Sequence, residues 1–268
     1  MKRAKSISGL AILVGILIAT FPIRMFGQTT TTGSITGSVR DQTGAFLPGV
    51  EIKGEQDGTG QSHQTISSEL GTYTLPLLPP GRYTVTFSLP GFQTIINRGV
   101  TVSATEKVQL NGTLQVAAVG TTVEVSATAQ LIQSESTSLG RVIDEKMTIA
   151  LPLPTKNYTQ LLTLSTGTSS NIADTSALGR GSMNISSNGG RQVANTFLLD
   201  GVDANNIHSN TAEQNGVGSN GVPVPSTEVL QEFKVQTGQY DAQYGRNAGA
   251  TINVVTKSGT NQFHGTLF

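Results

Sequence analysis

From Gly33 to about Gln115 the chain keeps a period of two, and this constrains its fold more than any other feature. Ile35, Gly37 and Val39 alternate with Ser34, Thr36, Ser38 and Arg40, and Tyr83, Val85, Phe87 and Leu89 with Thr84, Thr86 and Ser88. Such alternation sets one face of a strand on a core and the other in water. Turn-forming residues interrupt it at short intervals, at Asp41–Gly44, Pro48-Gly49, Asp57-Gly58, Pro80-Gly81, Pro90-Gly91 and Asn111-Gly112. Short strands at that spacing predict a β-sandwich. Composition agrees: 31 glycines and no tryptophan in 268 residues favour strands and turns over packed helices.

Charge excludes several classes of function. Only 13% of residues are charged, and seventeen acids balance seventeen bases. No cationic surface for nucleic acid follows from that balance, nor the highly charged profile of a disordered tail. The chain has no cysteine, which excludes disulfides, zinc ribbons and a thiol nucleophile. His63, His208 and His264 are too widely spaced for a histidine-rich metal site.

The first residues read as an address. Lys2, Arg3 and Lys5 precede an apolar run from Gly9 to Ala19. A basic stretch before ~7–15 apolar residues is the pattern of an export signal. Residues 1–27 are expected to be that signal, cleaved after Gly27, with a short buried or anchoring helix as the other reading. The polar thread Gln28–Thr32 is expected to be unstructured.

Residues 116–268 read as mixed α and β. Asp144–Thr148 and Tyr158–Leu164 predict short helices, separated by the helix-breaking Leu151-Pro152-Leu153-Pro154. Phe197-Leu198-Leu199 reads as a buried strand ending in the turn Asp200-Gly201. Ser226 or Thr227 could cap a helical turn before a strand at Glu232–Thr237; Tyr240–Tyr244 is another candidate turn, and Ala250–Thr256 a further strand. Ser165–Gly190 and Ala204–Pro225 remain as long polar loops, and loops longer than ~12–15 residues in a domain are often functional.

Familiar catalytic and metal strings fail on inspection. Asp200 and Asp203 do not meet the D-x-[DN]-x-[DN]-G spacing of a calcium loop. Gly216-Val217-Gly218-Ser219-Asn220-Gly221 matches G-x-G-x-x-G, but Val222-Pro223-Val224-Pro225 after it cannot open the helix that holds a pyrophosphate. No G-x-S-x-G or P-loop string occurs. No cofactor and no enzymatic activity are expected.

Two groups of motifs carry family resemblances. Gly37-x-Val39-x-Asp41, Leu47-Pro48-Gly49-Val50, Gly71-Thr72-Tyr73-Thr74-Leu75 and Leu78-Pro79-Pro80-Gly81-Arg82-Tyr83 make residues 33–115 similar to the carboxypeptidase-regulatory-like domain. The resemblance implies a transthyretin-like seven-strand β-sandwich without catalytic zinc, and no H-E-x-x-H is present. The second group is Arg180-Gly181-Ser182-Met183-Asn184, Phe197-Leu198-Leu199-Asp200-Gly201-Val202, Glu232-Phe233-Lys234-Val235, Tyr244-Gly245-Arg246 and Gly249–Lys257. In that order they resemble the plug domain of TonB-dependent outer-membrane receptors, and the preceding sandwich resembles the Oar-like branch.

That resemblance implies a division of labour. Residues 129–260 would be a mixed α+β plug, with Arg180, Gly181, Asp200, Gly201, Tyr244, Gly245 and Asn253 as its motif residues. Asn261–Phe268 would open the first strand of a barrel of about 22 strands that the chain does not encode, making the chain an N-terminal fragment, or a prematurely ended reading frame, of a longer receptor. The sandwich would lie on the periplasmic side of the outer membrane. The implied task is energy-coupled uptake of a bulky ligand, with the TonB complex pulling on an extended segment. Within residues 116–128, Thr121, Thr122, Val123, Glu124, Val125, Ser126 and Ala127 are similar to that segment. A last sandwich strand or a plain linker is the competing reading.

Arg191, Asn205, Asn206 and His208 are the implied ligand-loop candidates, against ordinary solvated loop positions. Arg180, Glu232, Lys234 and Arg246 are expected either to pair with a barrel wall or to form local pairs. A secreted binding or adhesion module, recognising a glycan or a protein through its sandwich, is the alternative to a receptor.

Overall fold

The computed structural model describes residues 31–116, 122–126, 139–151, 153, 156–170, 185–206, 210, 224–238, 244, 248–263 and 265. The signal segment 1–27, Arg180, Gly181, His208, the Gly216–Gly221 string, Gly245 and Arg246 lie outside those residues, as do most of the Tyr240–Tyr244 turn and half of the Asn261–Phe268 strand.

The first unit is a sandwich of two sheets. Its strands are β1 (Gly33–Asp41), β2 (Glu51–Gln56), β3 (Ser62–Ile66), β4 (Thr72–Leu78), β5 (Gly81–Ser88), β6 (Thr94–Val102), β7 (Lys107–Gln109), β8 (Gly112–Leu114) and β9 (Thr122–Ser126). One sheet runs β4-β1-β7, with β8 also on β1; the other runs β3-β2-β5-β6-β9. Alternate residues meet between them: Ile35, Val39, Ile52, Leu75, Tyr83, Val85, Phe87, Val100 and Leu114 form one buried cluster. Tyr73 and Phe87 stand edge to face within it, ring centroids 5.6 Å apart.

The two short strands β7 and β8 are halves of one interrupted strand. Both run parallel to β1, beside Ser34–Thr36 and Val39–Asp41 respectively. At the break Leu110 N donates to Thr36 O, Tyr73 OH donates to Leu110 O at 2.6 Å, and Asn111 Oδ1 accepts from Ser38 N at 2.9 Å. The interruption brings Leu110 so close that a Cβ on residue 37 would lie 2.0 Å from its carbonyl oxygen. Only glycine fits there, which gives Gly37 its role inside an otherwise regular strand. Seven strands therefore close the sandwich, the number that the resemblance implies, and β9 adds an eighth partner at the sheet edge.

The second unit is a five-stranded sheet with short helices. It comprises β10 (Leu139–Asp144), α1 (Glu145–Ala150), a 3-10 helix at Tyr158–Leu164, β11 (Thr168–Ser170), β12 (Ile185–Ser187), a 3-10 turn at Gln192–Ala194, β13 (Thr196–Leu199), β14 (Val202–Asp203), a 3-10 turn at Thr227–Val229, β15 (Leu230–Gly238) and β16 (Thr251–Thr256). The sheet order is β10-β15-β16-β13-β14, and β11 and β12 form a separate hairpin. Capping fixes the helix starts: Asp144 Oδ1 accepts from Met147 N at 2.9 Å, Asn157 Oδ1 from Thr159 N at 2.9 Å. Ile143, Tyr158, Leu161, Leu162, Ile185, Phe197, Leu230, Phe233, Val235, Ile252 and Val254 make a second buried cluster. No helix among the described residues is long and apolar enough to cross a membrane, which says nothing of crossing by strands.

Candidate functional site

The segment implied to meet TonB is an edge strand. β9 lies parallel to β6, with Thr94 opposite Thr122, Ile95 opposite Val123, Ile96 opposite Glu124, Asn97 opposite Val125 and Arg98 opposite Ser126. It ends the sheet order, so among the described residues its ladder is made on one side only. Thr121 and Ala127 lie outside the described residues. A short parallel edge strand is held less firmly than the antiparallel interior of the same sheet. Sequence reading left strand and coupling segment as rival descriptions; the backbone geometry makes them compatible, because an edge strand has a free side to offer a partner.

One end of the sandwich rests on the second unit. Three turns make the contact: Gly58–Thr59 between β2 and β3, Pro80 between β4 and β5, and Ser103–Glu106 between β6 and β7. Gln231 Nε2 donates to Pro80 O at 2.9 Å, Lys234 Nζ to Thr105 Oγ1 at 3.0 Å, and Asn261 Nδ2 to Thr59 O at 3.0 Å. Glu232 Oε1 accepts from Ala104 N at 2.5 Å. Glu232 and Lys234 are each only 8% exposed. Burial holds the Glu232 carboxyl above the ordinary glutamate range; the Ala104 amide and Ser103 oppose that, the nearby Glu106 charge adds to it, and Lys234 opposes it.

Two of the four charges expected to pair with a barrel wall or locally have local partners: Glu232 and Lys234 face a sandwich turn, while Arg180 and Arg246 lie outside the described residues. The physical reason is that β15 is covered on both sides: Phe233 and Val235 meet the core, and Gln231, Glu232 and Lys234 meet the sandwich. The string Glu232-Phe233-Lys234-Val235 was legible, but not what would cover it.

Two of the motif segments are tied together. Asp200 takes a left-handed conformation (φ 48°) and Gly201 follows at φ 81°, forming the turn between β13 and β14. Asp200 Oδ1 accepts from Thr256 N at 2.9 Å and Oδ2 from Thr256 Oγ1 at 2.8 Å, joining the D-G turn to the far end of β16. Asn253 is fully buried on β16, opposite Leu198 on one side and Lys234 on the other. Tyr244 is buried at 6% exposure.

The loop candidates separate. Asn205 is buried; its Oδ1 accepts from Phe197 N at 2.6 Å and its Nδ2 donates to Asn195 O at 2.8 Å. Asn206 is likewise buried at 5% exposure, Arg191 is exposed, and His208 lies outside the described residues. Sequence reading missed Asn195, the hub of this region. It is fully buried, accepts from Ala250 N at 2.8 Å and donates to Ile185 O at 2.7 Å. The polar pair Asn195-Thr196 before the apolar Phe197-Leu198-Leu199 was the signal available. No group of histidine, aspartate and glutamate that could hold a metal occurs among the described residues.

Comparison with known proteins supplies the context for these motifs. The carboxypeptidase regulatory-like domain matches residues 34–115. Over 217 residues, 78% of its length, the chain is 29% identical to the TonB-dependent transporter Oar of Myxococcus xanthus. It resembles part of a TonB-dependent transporter. The matched part is 19% of that transporter, so the chain spans about a fifth of its relative. Among solved structures, 3-chlorocatechol 1,2-dioxygenase from Rhodococcus opacus matches 33% of this chain and 62% of its own at 13% identity and a TM-score of 0.27. A putative carbohydrate binding protein from Bacteroides uniformis matches 31% of this chain and 41% of its own at 23% identity, also at 0.27. Likeness at that level carries no argument about function.

Proposed function

We propose that this chain is the N-terminal part of a TonB-dependent outer-membrane receptor. In this reading residues 129–260 are the plug that gates uptake of a bulky ligand through a barrel of about 22 strands. Residues 33–115 are a periplasmic sandwich, and Thr121–Ala127 is the segment that the inner-membrane TonB complex grips. The carrying observation is the length of the Oar match: at 217 residues it far outruns the sandwich matched at 34–115, so it takes in the second unit as well. The tie between Asp200 and Thr256 supports it, since two separated motifs meet at one point.

The mechanism follows from strand geometry. TonB would add a strand to the open side of β9, giving main-chain hydrogen bonds that do not depend on side-chain identity. Pulling would peel β9 from β6, a parallel edge ladder being the first to yield. Residues 127–138, extended, reach at most about 40 Å. Beyond that reach, force passes into β10, which is paired along its length with β15. β15 is also the strand that carries the sandwich junction, so plug and sandwich would feel the same pull.

The test is retention of the TonB periplasmic domain on an immobilised 116–130 peptide. Capture above a scrambled peptide supports the reading, and capture equal to it removes the coupling role from this segment.

A further inference from the structure

The end of the sandwich away from the junction holds a cavity of about 980 Å3. Its floor is the outer face of the β3-β2-β5-β6 sheet, opposite the face that carries Ile52 and Phe87. Ile66, Glu51 and Ser88 lie side by side there, in register across three strands. Gln64 and Thr94 flank this row, and Phe92 from the β5–β6 turn forms a wall. Adjacent strands are ~4.8 Å apart, so the row sets the apolar Ile66 beside the polar Glu51 and Ser88 at that spacing.

Two properties define what fits. Glu51 is the one ionisable side chain on the lining among the described residues, so nothing there attracts an anion. A carboxylate beside an amide and two hydroxyls matches a ligand edge rich in neutral donors and acceptors, while Phe92, Leu89 and Ile66 match an apolar face. The walls are also set in advance. Ser67 Oγ accepts from Val50 N at 2.9 Å and donates to Leu47 O at 2.8 Å, while Phe92 N donates to Leu89 O and Gln93 N to Gln115 O. A preformed site loses little in ordering itself around a ligand.

We propose that this cavity binds a neutral oligosaccharide, with a ring against Phe92 and its hydroxyls bonded to Glu51, Gln64, Ser88 and Thr94. Sugar rings carry both an apolar face and a polar edge, the pairing that the lining presents. Thr94 of the lining lies opposite Thr122 of β9, yet saccharide binding is read without TonB, so its failure and the failure of coupling are separate outcomes.

The test is affinity electrophoresis of the full chain through gels containing xyloglucan, galactomannan, mixed-linkage β-glucan or dextran, with polygalacturonate as the anionic control. Retardation by at least one neutral polysaccharide, weakened about tenfold by Glu51→Ala or Gln64→Ala, is the expected result. Both positions are exposed, and unchanged melting temperatures of these variants certify the fold. Phe92→Ala should abolish retardation. Migration unaffected by every neutral polysaccharide, or retardation equal in all variants, overturns the proposal. So does stronger retardation by polygalacturonate, or binding of casein-digest peptides at these residues in place of saccharide.

Discussion

Asp200 and Thr256 are joined twice, one carboxylate oxygen accepting from the threonine amide at 2.9 Å and the other from its hydroxyl at 2.8 Å. The two residues are far apart in sequence and close the same corner of the β13-β16 pair. Hydrogen bonds to a charged acceptor contribute more than neutral ones. Asp200→Ala is expected to cost about 1–2 kcal/mol in urea unfolding. Asp200→Asn should cost less, because asparagine tolerates the left-handed backbone and can still accept from the amide.

Stability should also depend on pH through Glu232. Its carboxyl is held above the ordinary range by burial, so the folded chain binds that proton more tightly than the unfolded chain. Below the ordinary glutamate pKa both states are protonated and the group imposes no penalty. As pH rises from the ordinary value towards the raised one, the unfolded chain releases the proton that the folded chain keeps, so stability falls, and it levels off once the folded carboxyl has ionised. The groups that face it are Glu106 and Lys234, with Ser103 and the Ala104 amide. Urea melts between pH 4 and 8, on the order of the glutamate titration range, should show this slope in the wild type and a flatter profile in Glu232→Gln.

The two cores should respond separately. Phe87 and Phe233 are both fully buried, one in each cluster. Phe87→Ala and Phe233→Ala are each expected to cost about 3–5 kcal/mol. Because the clusters share no residue, the double variant should match the sum to within about 0.5 kcal/mol by chemical denaturation.

Gly37→Ala tests the interrupted strand. The added Cβ meets the Leu110 carbonyl at 2.0 Å, which cannot be relieved by a rotamer change. A loss of about 1–3 kcal/mol is expected, measured as a lower melting temperature. Gly259→Ala, where a Cβ meets open space, is the control.

Much of this architecture was written in local pattern. Alternation marked β1 and β5, the short helices near Asp144–Thr148 and at Tyr158–Leu164 were expected, and Ser226 or Thr227 was the expected cap of the turn before β15; the caps Asp144 and Asn157 came only from the structure. What pattern could not show was contact between distant segments. Glu232 and Lys234 could be read only as charges in need of a partner, because their cover, the Ser103–Glu106 turn, lies more than a hundred residues away. Asn205 read as a loop residue because the buried amides it serves belong to Phe197 and Asn195. The cavity beside Phe92 was invisible for the same reason: its floor is assembled from three strands whose register only the folded sheet fixes.

The coupling claim is tested most directly by single-cysteine crosslinking, which the cysteine-free chain allows without a background. Cysteines placed one at a time from Thr121 to Ala127 in the intact chain are oxidised with a TonB periplasmic domain carrying one cysteine on its strand edge. Ser62 and Gln64, on β3 at the opposite edge of the same sheet, serve as controls. The account predicts disulfide-linked product within Thr121–Ala127 and none from β3. Equal product from both edges, or none from Thr121–Ala127, would contradict it.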